Sequence, residues 1–182
     1  IEGDIPVVMA SERAVQQTAY AEVITDVLPI KPFIASGVLA GDVGIRNDLD
    51  QVVRRLPDLS NSLWRQALKT ASSPDAVSTA AISSDRYIQF AGARGTVPTI
   101  SYYPALFADE LLPEDYFRDK IVLIGFTMLT SPTAQTKGDN HATPFTRVSG
   151  PFTPGVAIHA NALNPHRQSN IILRSDPPLG MV

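Results

Sequence analysis

The chain has 182 residues, enough for one domain with a substantial core, and its 44% hydrophobic and 18% charged residues are those of an ordinary soluble globular protein. A formal charge of −3 and a pI near 5.5, with no Lys/Arg run longer than a pair, argue against a nucleic-acid or anionic-membrane surface. The absence of cysteine excludes thiol catalysis, disulfides and cysteine-based zinc or iron–sulfur sites, and it fits a periplasmic or cell-surface location.

Ile5–Ala10 (IPVVMA) has strand length, and SERAVQQTAY behind it offers Ser11 as a cap followed by helix formers. VLPIKPFI carries two prolines and reads as an extended connection. Gly37–Val43 and Gln51–Leu56 read as two strands joined by a turn at Asn47-Asp48-Leu49-Asp50. The helical spacing of Leu63, Trp64, Ala67, Leu68 and Ala71 predicts a helix over residues 62–72, with Ser62 as its cap. Thr79–Ser83 and Tyr87–Ala91 read as strands, and YYPALFADELLP as a short helix broken at Pro113.

KIVLIGF, Lys120–Phe126, is an uninterrupted apolar run, which predicts a strand buried on both faces in the centre of a parallel or mixed sheet. The polar stretch TSPTAQTKGDNHATPF after it is longer than a plain connection needs. PGVAIHANALNPHRQ predicts the last helix, with Pro154 tolerated in its first turn and Val156, Ala160 and Leu163 on one face. IILR, Ile171–Arg174, reads as a final strand. Strands alternating with helices define an α/β fold, with a mixed, largely parallel central sheet flanked by helices.

The ends read as cuts. Ile1-Glu-Gly-Asp begins without methionine, no signal peptide or run of eighteen apolar residues occurs, and PPLGMV stops where the chain turns apolar. We therefore expect residues 1–182 to be a single-domain piece of a longer protein, with residues 175–182 leading into a membrane helix.

Most of the chemistry gathers beyond KIVLIGF. Ligands of open α/β sheets collect past the carboxyl ends of strands, where amides and helix N-termini converge. Gly125 permits a turn or a close approach, and Thr127, Asp139, His141 and Thr143 supply hydroxyl, carboxylate and imidazole groups. The plainer reading is that Asp139 and Thr143 tie down the loop through backbone hydrogen bonds while His141 stays exposed. Asp139-x-His141 is only two-thirds of a metal site, because a third ligand must come from elsewhere.

His159 and Asn161, two positions apart on the last helix, point to nearly opposite sides, so that one can be buried and the other open. His159 reads as a hydrogen-bonded core histidine rather than a base, in a part of the helix where the macrodipole disfavours its charged form. His166 shares its face and reads as exposed. Asp48-x-Asp50 opens like a calcium loop but lacks the glycine and the distal glutamate. Arg54 and Arg55 are anion-binding candidates that a strand would point in opposite directions. Ser131, His141 and Asp139 can be drawn as a hydrolase, yet no Gly-x-Ser-x-Gly elbow, GxxxxGK[ST] or GxGxxG is present. We assign no catalytic residue, metal or cofactor.

From Gly37 to Leu163 the chain resembles a known family. LPEDYFRDKIVLIGFT, then GDNHATPF, then PGVAIHANAL are similar to the C-terminal signature of the type-2 CHASE domain, the cyclases/histidine kinases associated sensory extracellular domain. Asp139, Thr143, Pro144, Gly155, His159, Ala160 and Asn161 stand at the positions of that signature. NDLDQVVRRLP and YIQFAG resemble its upstream segments, with Gln51 where the family pattern has glycine. The family-like region is taken as residues 37–174, and the family's first strands and helices are expected to lie outside this chain.

The resemblance implies a non-catalytic extracytoplasmic sensor of a bacterial membrane receptor, joined through helices outside this chain to an adenylate or diguanylate cyclase, a histidine kinase or a Ser/Thr kinase. An unidentified small ligand or periplasmic partner would bind around Gly125, Thr127, Asp139, His141, Thr143, His159 and Asn161, in a receptor expected to be a homodimer. The alternatives are a ligand-free dimerisation module and, less favoured, a hydrolase.

Overall fold

The computed structural model describes residues 5–55, 60–71, 87–127, 139–150 and 152–168. It opens with a strand–strand–helix–strand unit: β1 (Val8–Gln17), β2 (Glu22–Val27), α1 (Lys31–Ala35) and β3 (Leu39–Asp42). β1 is the central strand, antiparallel to β2 and parallel to β3. With the helices that follow, this is the α/β class with a mixed sheet.

The register shows that β1 uses its neighbours one at a time. Residues Val8 to Ser11 pair with Leu39 to Asp42, whereas Glu12 to Gln17 pair with Val27 to Glu22. The sheet is therefore only two strands wide at any level, and the β1–β2 ribbon projects past β3 with β2 exposed along its length. Helix formers such as Glu12, Ala14 and Gln16 predict a helix at residues 11–20, but the structure makes this stretch strand. The β-branched segment EVITDV supplies a six-residue antiparallel partner, and tertiary pairing overrides intrinsic propensity. Thr18 closes the turn through Oγ1, which donates to the Ala21 carbonyl at 2.7 Å and accepts its N–H at 3.1 Å.

The segment read as an extended connection contains α1. Pro32 falls in the first helical turn, where no hydrogen bond is lost, and Gly37 with φ +89° follows the end of the helix. β3 and residues 51–55 do not form a hairpin. Asp42 instead bridges to Ser62 and Val52 to Ala142, both in parallel orientation.

α2 (Leu63–Ala71) matches its spacing, and Trp64, Ala67 and Leu68 are buried. α3 (Tyr102–Leu106) and α4 (Ala108–Leu111) divide the YYPALFADELL stretch at Phe107. The minimal strands β4 (Asn140–His141) and β5 (Thr153–Pro154) pair antiparallel around α5 (Thr146–Ser149), and α6 (Gly155–Gln168) follows at once. Trp64, Ala67 and Leu68 of α2 meet Ala162 and Leu163 of α6 to form the core.

Lys120–Phe126 departs most from its reading. The segment is extended but joins no ladder. Ile121 and Leu123 pack on the α2–α6 core, while Val122, Ile124 and Phe126 are 50%, 77% and 59% exposed. Apolar surface lies on one side only, so the run is buried by alternation and not on both faces. Residues 79–83 and 171–174, also read as strands, lie outside the described residues; Tyr87–Ala91 forms no strand, and the Phe90 N–H turns back to the Ile88 carbonyl at 3.1 Å.

Candidate functional site

The first turn of α6 organises the site. β4 and β5 are held together by the Asn140–Pro154 and His141–Thr153 pairs, and β5 runs straight into Gly155. The Gly155 N–H donates to the Asp139 carbonyl at 3.0 Å. A methyl group at Gly155 would collide with both Asp139 carboxylate oxygens, so glycine is what lets that carboxylate lie against the start of the helix. A negative group is favoured there by the macrodipole of a fourteen-residue helix.

His141 completes a pair: its Nε2 donates to Asp139 Oδ1 at 2.9 Å. That hydrogen bond, opposed by partial burial and aided by the charges of His141 and His159 and by the Gly155 N–H, holds the Asp139 carboxyl below the usual carboxylate range. His141 is not simply exposed, since its side chain is only 21% accessible against 54% for Asp139. Beneath the pair, Thr143 is buried, its Oγ1 lies 3.5 Å from Thr153 Oγ1, and its N–H donates to Thr146 Oγ1 at 2.9 Å. The side-chain-to-backbone bond at this point comes from Thr146, while the Thr143 hydroxyl faces that of Thr153.

His159 sits one turn further along α6 and is 4% exposed. Its Nε2 donates to the Val43 carbonyl, just past β3, at 3.3 Å, while Nδ1 is buried without a hydrogen-bond partner among the described residues. Burial is the main reason its imidazole is held below the ordinary histidine pKa; the Val43 carbonyl and the charges of Asp139 and Asp42 pull the other way. Asn161 is 4% exposed too, contrary to the expectation that only one of this pair is covered. Its Oδ1 accepts from the Ala91 N–H at 2.8 Å and its Nδ2 donates to Ala157 O at 2.7 Å. α6 has chain on both sides, which is why residues pointing opposite ways can both be buried.

Gly125 also serves α6. A methyl group there would stand 2.6 Å from Val156 Cβ, so glycine sets how closely the extended segment approaches the helix. Thr127 is exposed, and its carbonyl accepts from Arg94 Nη2 at 2.8 Å while Arg94 Nη1 reaches Phe152 O at 3.2 Å. Gly125, Asp139, His141, Thr143 and His159 therefore gather around the start of α6. Asn161 faces the residue-91 side, and Thr127 is tied in through its backbone. Arg94, Asp42 and the Val43 carbonyl escaped the sequence reading, because nothing in a lone Arg, a lone Asp or a backbone oxygen marks it before the chain is folded.

The other charged constellation is self-satisfied. Arg54 grips Asp50 with both terminal nitrogens at 2.8 and 2.7 Å and reaches Asp48 at 3.0 Å, and Arg55 reaches the other Asp48 oxygen at 2.7 Å. The two arginines converge on Asp48 and do not point apart. Among the described residues no three His, Asp or Glu side chains are grouped to hold a metal ion. Ser131, the sketched nucleophile, lies outside the described residues.

These features define an α/β domain whose polar cluster is joined to a buried helix. The family model of the CHASE2 domain matches residues 6–179, further in both directions than the Gly37–Leu163 motifs, and the chain belongs to that family. CHASE2 domains are sensory extracellular domains of signalling receptors. Comparison with curated proteins and with solved structures finds no match. No helix among the described residues is long and apolar enough to cross a membrane.

Proposed function

We propose that this chain is the extracytoplasmic sensor of a bacterial transmembrane receptor, anchored by helices outside this chain and controlling a cyclase, a histidine kinase or a Ser/Thr kinase. A small polar ligand or a periplasmic partner engages the described end of the loop, Asp139 to Phe145, and is not chemically changed by it. The observation that carries this reading is the seating of the Asp139–His141 pair on the first turn of α6. A ligand competing for either side chain alters the hold on that helix, and it shifts the receptor only by its difference in affinity between the two arrangements.

Thermal-shift titration of candidate periplasmic solutes tests this at fixed pH. The stabilisation seen with wild type is expected to weaken in Asp139→Ala and His141→Ala; equal responses from all three proteins remove the loop from the site.

A second reading, a dimerisation module without a ligand, is favoured by the exposed Val122, Ile124 and Phe126 on the ladder-free segment. A second copy covering these side chains gives a mass that rises with concentration and is insensitive to solutes. Val122→Ser with Ile124→Ser then restores the monomer.

A further inference from the structure

Four charged or titratable side chains on three elements surround the start of α6, and the proposed ligand site uses only two of them directly. His159 is the buried one. A carbonyl can only accept, so the contact with Val43 O requires the proton on Nε2 and leaves Nδ1 as a bare acceptor. Nδ1 is enclosed with no donor facing it among the described residues. The groups that act on the ring are Asp42 and the Val43 carbonyl at the end of β3, and Asp139 and His141 at β4. Asp42 is engaged by the Gly44 N–H at 2.9 Å, and Asp139 by His141 and Gly155. Neither carboxylate is hydrogen-bonded to Nδ1.

We infer that His159 makes this domain responsive to acid: a proton on Nδ1 disfavours the closed packing of α6 against the end of β3 and releases the first half of that helix. The new N–H would be a buried donor without an acceptor and the ring a buried cation, both of which cost free energy that water removes once the contact opens. The neighbouring carboxylates reduce this cost without cancelling it, which agrees with burial being the dominant influence on the ring. The sign follows. A folded-state pKa below the unfolded value of 6.5 means that stability is complete above about 6.5 and is lost as pH falls towards the folded pKa. A periplasm open to the medium experiences such a range. As a signal this rests on the sensor reading above; as a property of the domain it does not.

The test uses the chain itself, followed by melting temperature and by the fluorescence of Trp64, the only tryptophan, which packs against α6. Between pH 7 and pH 5 the wild-type melting temperature is expected to fall by about 3–5 °C per pH unit within the titrating window. Trp64 emission is expected to shift to the red over the same range. His159→Gln keeps a donor for Val43 O but cannot titrate, so its profile flattens. Nitrogen-15 shifts of the wild-type His159 ring give its folded pKa directly and decide the matter even if the variant does not fold. A value at or above 6.5, a flat wild-type profile, or an equally steep His159→Gln profile overturns the inference, and each leaves the fixed-pH ligand titration standing.

Discussion

Gln51 has φ +63°, left-handed backbone that a residue with a Cβ adopts at a cost of about 1–2 kcal/mol. It closes the turn in which its N–H donates to Asp48 O at 2.9 Å and the Asp48 N–H donates to Val52 O at 3.1 Å. This is the position where the family pattern has glycine, and the dihedral supplies the reason. Gln51→Gly is expected to raise stability by about 0.5–1 kcal/mol, part of the relief being offset by the greater freedom of the unfolded chain. Urea denaturation measures it, and a loss of stability would show that the Gln51 side chain matters more than its backbone. The adjoining carboxylates belong to the same turn. Arg54 holds the Asp50 carboxyl at about 2, and Arg55 then Arg54 lower that of Asp48, so their contribution is present at neutral pH and is lost only as pH falls below the ordinary aspartate value of 3.8. Both side chains of the calcium-like Asp48-x-Asp50 are thus committed to arginine.

At the scale of elements, the extended segment Ile121–Thr127 and α6 depend on one another through Gly125. Gly125→Ala places a methyl group 2.6 Å from Val156 Cβ and is expected to destabilise by about 1–3 kcal/mol. Val156→Gly in the same chain removes Cβ as well as both Cγ atoms and should recover part of that loss, and a double-mutant cycle with no coupling would disprove the contact. The elements read best from the sequence were α2, where 3.6-residue periodicity runs over nine residues, and α6, whose start behind Pro154 was read from residue type. Those read worst were β1, whose helix-favouring composition yields to the β2 partner, and KIVLIGF, whose unbroken apolar character does not reveal whether one face or two will be covered. Periodicity reports how a segment can be buried; what packs on it is a separate matter.

Across the whole molecule, stability is distributed unevenly. The α2–α6 core contains Leu68 at 3% exposed, whereas Ile24 on the projecting ribbon is 63% exposed. Leu68→Ala is expected to cost about 2–5 kcal/mol, and Ile24→Ser to stay within about 0.5 kcal/mol, in the same denaturation assay. Comparable losses at both sites would mean that the ribbon is covered in solution. This arrangement places the Asp139–His141 pair, His159 and the Gly125 contact on one helix that is itself part of the core, so an event at its first turn acts on the packing of the domain.

The amino-acid sequence by itself determined the α/β class, the two principal helices, the family, and the residue types around the last helix, because periodicity, glycine placement and motif spacing are local properties. Tertiary structure decided that His159 and Asn161 are both enclosed, that Arg54 and Arg55 converge on Asp48, and that the apolar run before Thr127 has one side open. Each of these depends on which distant segment arrives at a surface, and that follows from the packing of the whole chain.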